Sequence, residues 1–195
     1  MQEVLFEMQK IGRLQDGQWR EFSFEPVYNE VCLKNGTQRI VAGVPQGDSD
    51  IFDQLAESLQ PPFFLLYVLH TPRGEAETGR YESPALSLSK LQEFLRRFRA
   101  FLAADGRFDL WIHSREDNAT LVWDRHNLLY AYGPLEKIAS KLRAMSFRRG
   151  DPQIPFPHSH YYRSEMDEDA EAVVAALDWI HKPLRPEDEQ LQNRM

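Results

Sequence analysis

Cysteine is almost absent from this chain. Among 195 residues only Cys32 carries a thiol, which excludes an intramolecular disulfide. Set in an apolar, strand-like run, Cys32 reads as a small buried hydrophobe. Long apolar runs are also missing. The longest, PPFFLLYVL, is far shorter than the roughly 20 residues a membrane-spanning helix needs. The N-terminus, MQEVLFEMQKIGRL, carries acids early and no extended apolar segment, so no signal peptide is expected. Basic charge is in deficit, with 23 Lys and Arg against 30 Asp and Glu and a net charge of −7. That argues against a general nucleic-acid binder and suits a basic partner. Signature motifs are lacking too. There is no H-E-x-x-H, C-x-x-C, phosphate loop, G-x-S-x-G, dinucleotide glycine pattern or EF-hand loop. These absences leave a soluble, cytoplasmic protein as the expectation.

What is present is enough for a sizeable core: 42% hydrophobic and 12% aromatic residues. Most of the unusual chemistry lies in two runs, FDLWIHSREDNATLVWDRHNLLYAY at 108–132 and IPFPHSHYY at 154–162. Together they hold four of the six histidines and four of the seven tyrosines, residue types that build binding surfaces as readily as β-rich cores.

The pattern along the chain predicts an α+β fold: a mostly antiparallel sheet with about three to four helices packed on it. Residues 3–14 and 19–34 read as strands, with Pro26 at a bend or edge. Asn35-Gly36 is a hairpin signal leading into TQRIVAGV. Asp48 or Ser49 can cap a helix over IFDQLAESL, which Pro61-Pro62 ends. FFLLYVLH has the length and continuity of a central strand. TPRGEAETGRYESP reads as a long exposed loop, one that could separate two subdomains.

The spacing of Leu88, Leu91, Phe94, Leu95, Phe98, Phe101 and Leu102 predicts a helix over 88–104. Ser87 or Ser89 can cap it, and its polar face carries Arg96, Arg97 and Arg99. A three-stranded meander follows at 108–114, 119–124 and 127–132, then a helix opened by Pro134. Proline-rich loop or edge strand is expected at 148–160, and a last helix near 167–180 with Asp167, Glu168 and Asp169 at its positive end. Residues 1–182 read as one domain and 183–195 as a frayed polar tail.

Several clusters could carry chemistry. In an extended His158-Ser159-His160 segment both imidazoles fall on one side. His113, His126, Asp124 or Asp109 could add a ligand to make a zinc site. The other reading is that these histidines hydrogen-bond to backbone and pin the loop. Asp124-Arg125-His126-Asn127 places an acid beside a histidine, but at a strand-to-strand turn, where Asp and Asn favour local hydrogen bonds. Arg80, Tyr81 and Glu82 on the Gly-rich loop could meet an anionic ligand or a partner. The arginine stripe on the long helix reads as a solvated face. Trp111, Trp123, Tyr130 and Tyr132 are expected to line one face of the meander, beneath a helix.

The runs GRYESP, DLWIHS, LVWDRHNLLYAYGPLE and PHSHYY together resemble a family of small, single-domain bacterial proteins. The resemblance covers most of residues 63–165 and implies no activity. In size, acidity and want of catalytic motifs the chain is also similar to cytoplasmic immunity proteins that neutralise secreted toxins. From neither resemblance is a catalytic residue carried over.

The expectation is therefore a non-enzymatic binding protein, an immunity-type inhibitor or similar interaction module that meets a basic protein partner. Neither nucleic acid nor membrane is an expected partner. Its contact residues would be Arg80, Tyr81, Glu82, Trp111, His113, Asp124, His126, Tyr161 and Tyr162. No cofactor is required by that reading. The alternative is a metal-assisted or histidine-based hydrolase, with His113, His126 and Asp124 as its catalytic groups and zinc held by His158, His160, His113 and His126. A small-ligand sensor walled by the aromatic meander is a third.

Overall fold

The structure, a computed structural model, describes residues 8–188. The strand expected from residue 3 lies partly outside that range, as does the end of the polar tail from residue 189. The fold is α+β, as the sequence pattern indicates.

The strands are β1 (Ile11–Gln15), β2 (Gln18–Glu21), β3 (Val27–Cys32), β4 (Gln38–Gly43), β5 (Phe63–Leu69) and β6 (Gly79–Glu82), then β7 (Phe108–Ser114), β8 (Ala119–Trp123), β9 (Leu128–Tyr132), β10 (Arg148–Arg149), β11 (His158–His160) and β12 (Ile180–Lys182). The helices are α1 (Asp50–Glu57), α2 (Leu88–Arg97), α3 (Arg99–Ala104), α4 (Leu135–Ala144) and α5 (Asp167–Ala175). Nine strands form one sheet in the order β10-β3-β4-β9-β8-β7-β5-β6-β12, and β11-β1-β2 form a second, small sheet. Among the described residues only the β10–β3 pair is parallel.

Alternation along the strands divides the large sheet into two faces. One face presents Ile40, Ala42, Leu65, Tyr67, Leu110, Ile112, Leu121, Trp123 and Leu129 to all five helices, and this is the main core. The opposite face holds a smaller cluster of Phe24, Val41, Val122, Leu128 and Tyr130, edged by half-buried Phe22, Trp111, Tyr132 and Ile154. The expected single aromatic face is therefore split. Trp123 points to the helices and stacks on Phe52 at 4.7 Å. Trp111 and Tyr130 point the other way, flanking Val122 across the ladder. Trp123 and Trp111 are an even number of residues apart, but they lie on different strands, and the register sets their faces.

Local chemistry explains most element ends. Gly36, at φ +83°, makes the β3–β4 turn that Asn35-Gly36 signals. The Ser87 hydroxyl accepts from the Lys90 amide and caps α2. At the start of α1 the capping oxygen belongs to Asp48, which accepts from the Asp50 amide.

Four expectations are corrected. The helix over 88–104 breaks at Phe98, whose φ/ψ of −102° and 14° leaves the helical range, so this stretch forms two helices, α2 and α3. The loop over 71–84 contains strand β6, which pairs with β5 and with β12. The polar stretch from residue 183 is anchored as far as Asp188, whose buried carboxylate pairs with Arg80. Finally, Cys32 is exposed at the end of β3. Among the described residues no helix is long and apolar enough to cross a membrane.

Candidate metal centre

The β8–β9 turn and strand β11 come from distant parts of the sequence and meet at one end of the large sheet. Trp123 ends β8, and Asp124 to Asn127 make the turn. Asp124 organises it. One carboxylate oxygen accepts from the amides of His126 at 2.9 Å and Leu128 at 2.8 Å. The other lies 2.9 Å from His126 Nδ1. Asn127 takes the left-handed conformation, φ 59°, and its side-chain oxygen accepts from Trp123 Nε1 at 2.9 Å. The turn is thus built by local Asp and Asn hydrogen bonds, as such residues favour. The same bonds fix the His126 ring.

Strand β11 delivers the other two imidazoles. It pairs antiparallel with β1, His158 opposite Arg13 and His160 opposite Ile11. In an extended strand residues two apart share a face, so both rings turn toward His126. Ring centroids lie 4.7 Å apart for His126 and His160, 5.4 Å for His126 and His158, and 5.8 Å for His158 and His160. One nitrogen from each ring comes within 4.8 Å of the other two. A tetrahedral zinc ion with bonds of about 2.0–2.1 Å needs its nitrogens about 3.3 Å apart.

Each ring keeps one nitrogen of the kind that ligates metal. Bound at Nδ1 by Asp124, His126 has Nε2 left for a ligand, the carboxylate–histidine arrangement that supports metal sites. The His158 ring is hydrogen-bonded to the Phe156 backbone, again leaving one nitrogen. His160 Nε2 is buried without a hydrogen-bond partner, an arrangement that costs stability unless something fills it. Burial, then the nearby His126, pushes His160 down to about 3. Burial likewise lowers His158. Both are therefore neutral near pH 7, the form that binds metal. Burial works to raise the Asp124 carboxyl, but His126 and the turn amides outweigh it and hold it below its ordinary value.

Behind the histidines lies a charged core. Lys10 is fully buried and donates to the Asp124 carbonyl at 3.1 Å. Its ammonium sits 4.4 Å from the Trp123 ring and 4.5 Å from that of Phe108, a cation–π arrangement. Burial lowers it to about 8, against the pull of Asp109, Asp124 and Asp105. Asp109 in turn holds the Arg125 amide at 2.7 Å and His70 Nε2 at 3.0 Å. A second network fastens β11 from its C-terminal side. Arg107 grips Asp105 through two nitrogens at 2.9 and 3.0 Å, and also reaches Glu75 and Asp167. Asp105 accepts from the Arg163 amide at 2.8 Å, and the Arg163 guanidinium binds the carbonyls of Gln9 and Ala104.

Of the four histidines considered as ligands, the structure brings three together. His113 does not join them. It lies toward the far end of β7, with Nδ1 3.0 Å from the Thr120 hydroxyl. Four residues of strand from Asp109, it is about 13 Å further along the sheet. Asp124 supports the site from behind His126, and Asp109 supports the turn. The residues expected to contact a partner are dispersed over the fold. Arg80, Tyr81 and Glu82 lie on β6, where Arg80 is buried against Asp188, Tyr81 is in the core and Glu82 pairs with Lys182. Trp111 and His113 are half-buried on the β7 face turned away from the helices, where Trp111 edges the smaller cluster. Asp124, His126 and Tyr162 lie at the histidine cluster, where the Tyr162 ring stacks parallel to His160 at 6.1 Å, whereas Tyr161 turns to the other side of the small sheet, against Gly12 and the Arg163 guanidinium. Lys10, Arg13 and Arg20 escaped notice, since no motif surrounds them. Only the β1 pairing register brings them to the site.

No protein-family model, curated protein or solved structure matches this chain.

Proposed function

We propose that this protein binds a divalent transition metal of the zinc class through His126, His158 and His160, and that its chemistry is metal-assisted hydrolysis. The observation that carries the reading is the convergence of three ring nitrogens within 4.8 Å, with Asp124 fixing one ring from behind. Imidazole ligands suit zinc and its neighbours in the first transition row. Three protein ligands are the number found in catalytic zinc sites, where the fourth position takes water or substrate. A metal there lowers the pKa of its bound water toward neutrality and supplies a nucleophile.

The test is titration of metal-stripped protein with Zn²⁺, followed by calorimetry, and with Co²⁺, followed by visible absorption. One ion per chain is expected. His160→Gln should lose most of the affinity, while His113→Gln should bind as the wild type does. An absence of binding, or equal binding by His160→Gln, overturns the proposal.

A further inference from the structure

The small sheet that carries two of the histidines presents more than imidazole on that face. His158 stands directly opposite Arg13 on β1, and Arg13 stands directly opposite Arg20 on β2. Directly paired residues of antiparallel strands project from the same face, with Cβ atoms about 5 Å apart. A row of His158, Arg13 and Arg20 therefore runs outward from the metal centre. Beside it, Ile11 is buried opposite His160.

Arg20 is exposed and Arg13 half-buried, and neither forms an ion pair with a described residue. Like charges placed directly opposite one another destabilise a strand pair. Three other surface arginines do have carboxylate partners, Arg149 with Glu30, Arg143 with Glu136 and Arg99 with Asp48, while Arg96 and Arg97 on α2 form no ion pair with a described residue and lie on a solvated helix face.

We propose that the metal centre takes a small phosphate ester, its dianionic phosphate bridging the bound cation and the Arg13–Arg20 pair. This rests on the metal reading above and names the substrate class of that site. An imidazole that ligates a metal carries no charge of its own, so a divalent cation here would keep its charge uncompensated in its own ligand shell, with Asp124 offsetting it only from behind. Two guanidiniums at the rim raise the positive charge further. A dianion with several acceptor oxygens answers both the charge and the number of donors, and arginine's planar fork matches phosphate geometry. A carboxylate brings one charge and two oxygens, too few for this arrangement. The overall net charge of −7 opposes long polyanions, so the ligand is a small ester.

The experiment has two stages on the same samples, and uses the wild type and the Arg13→Ala/Arg20→Ala variant. Zinc is titrated first. Both proteins should bind one ion with equal affinity, which also shows that the variant folds. Inorganic phosphate, phenyl phosphate and acetate are then titrated into the zinc-loaded proteins and into metal-free wild type. Zinc-loaded wild type should bind both phosphates, the variant about tenfold or more weakly, and the metal-free protein as weakly. Acetate should bind poorly throughout. An Arg13→Lys/Arg20→Lys variant should fall between, since it keeps charge without the fork. Phosphate affinity equal in wild type and variant, or matched by acetate, overturns the phosphate assignment and leaves the metal reading standing. Failure of wild type to bind zinc overturns both.

Discussion

The Asp124 carboxylate lies 2.9 Å from His126 Nδ1 while its other oxygen accepts two amides of the same turn. One side chain therefore shapes the turn and selects the ring nitrogen that faces His158 and His160. With Nδ1–H held by the carboxylate, Nε2 is the free lone pair. Asp124→Asn separates the two duties. The amide oxygen can still accept from the His126 and Leu128 backbone, so the fold should persist. Its NH₂ group would then face Nδ1 and favour the tautomer with the proton on Nε2. Zinc affinity should fall about 10–100-fold, read by calorimetry, with the circular dichroism spectrum unchanged. Wild-type affinity in the variant would show that the carboxylate has no orienting role.

Arg107 should matter to the same site from a distance. Its side chain is fully buried and held by Asp105, Glu75 and Asp167. Through Asp105 and the Arg163 carbonyl it ties down the segment just after β11. Removing one member of a buried ionic network leaves the others uncompensated, at a cost of about 3–5 kcal/mol. Arg107→Met should lower the urea midpoint accordingly. Zinc affinity, measured well below that midpoint, should fall as well, because β11 loses its anchor. Unchanged stability would show that the network contributes nothing net.

The sequence made some of this legible and hid the rest for physical reasons. Hydrophobic period located β5, α1, α4 and the β7–β8–β9 meander, because each buries one regular face. It missed β6, whose Gly79 and Arg80 are poor strand formers that are held there by pairing to β5. It missed β12 as well, a three-residue strand that among the described residues pairs only with β6. His158 and His160 were readable as a pair from their spacing of two. That His126 joins them, and His113 does not, depends on where β11 docks. The β1 register sets that docking, and nothing in the composition of either segment reports it. Lys10 looked like any surface lysine, since its burial is imposed by Phe108 and Trp123, about a hundred residues away in the chain.

Gly106 tests how closely β11 is positioned. A Cβ added there would lie 2.9 Å from the Lys10 carbonyl and 3.2 Å from His160 Cβ. Neither neighbour is a flexible tip, so Gly106→Ala must push the β1 and β11 backbones aside. Overpacking of this kind costs about 1–3 kcal/mol. The displaced strand carries His158 and His160, so zinc affinity should drop more steeply than stability does. The comparison is between the shift in urea midpoint and the shift in zinc affinity on the same preparation. A large stability loss with intact zinc binding would show that the three rings adjust freely.

Lys10 gives the fold a distinctive alkaline signature. Burial lowers its pKa in the folded state to about 8, from the ordinary value of 10.5. Between those values the unfolded chain holds a proton at Lys10 that the folded chain has released. Stability rises with pH wherever the unfolded state binds more protons. It should therefore climb from pH 8 toward pH 10, by roughly 1–2 kcal/mol at up to 1.36 kcal/mol per unit. Above pH 10 the trend should reverse. Burial raises Tyr67 well above 10.0 in the folded state, so the unfolded chain loses that proton first. Urea midpoints at pH 7.5, 8.5 and 9.5 give the slope directly. Lys10→Met keeps an unbranched side chain between Phe108 and Trp123 but cannot titrate, so its midpoints should stay level over the same range. A wild-type midpoint that is also level would mean that Asp109, Asp124 and Asp105 offset the desolvation of the ammonium completely.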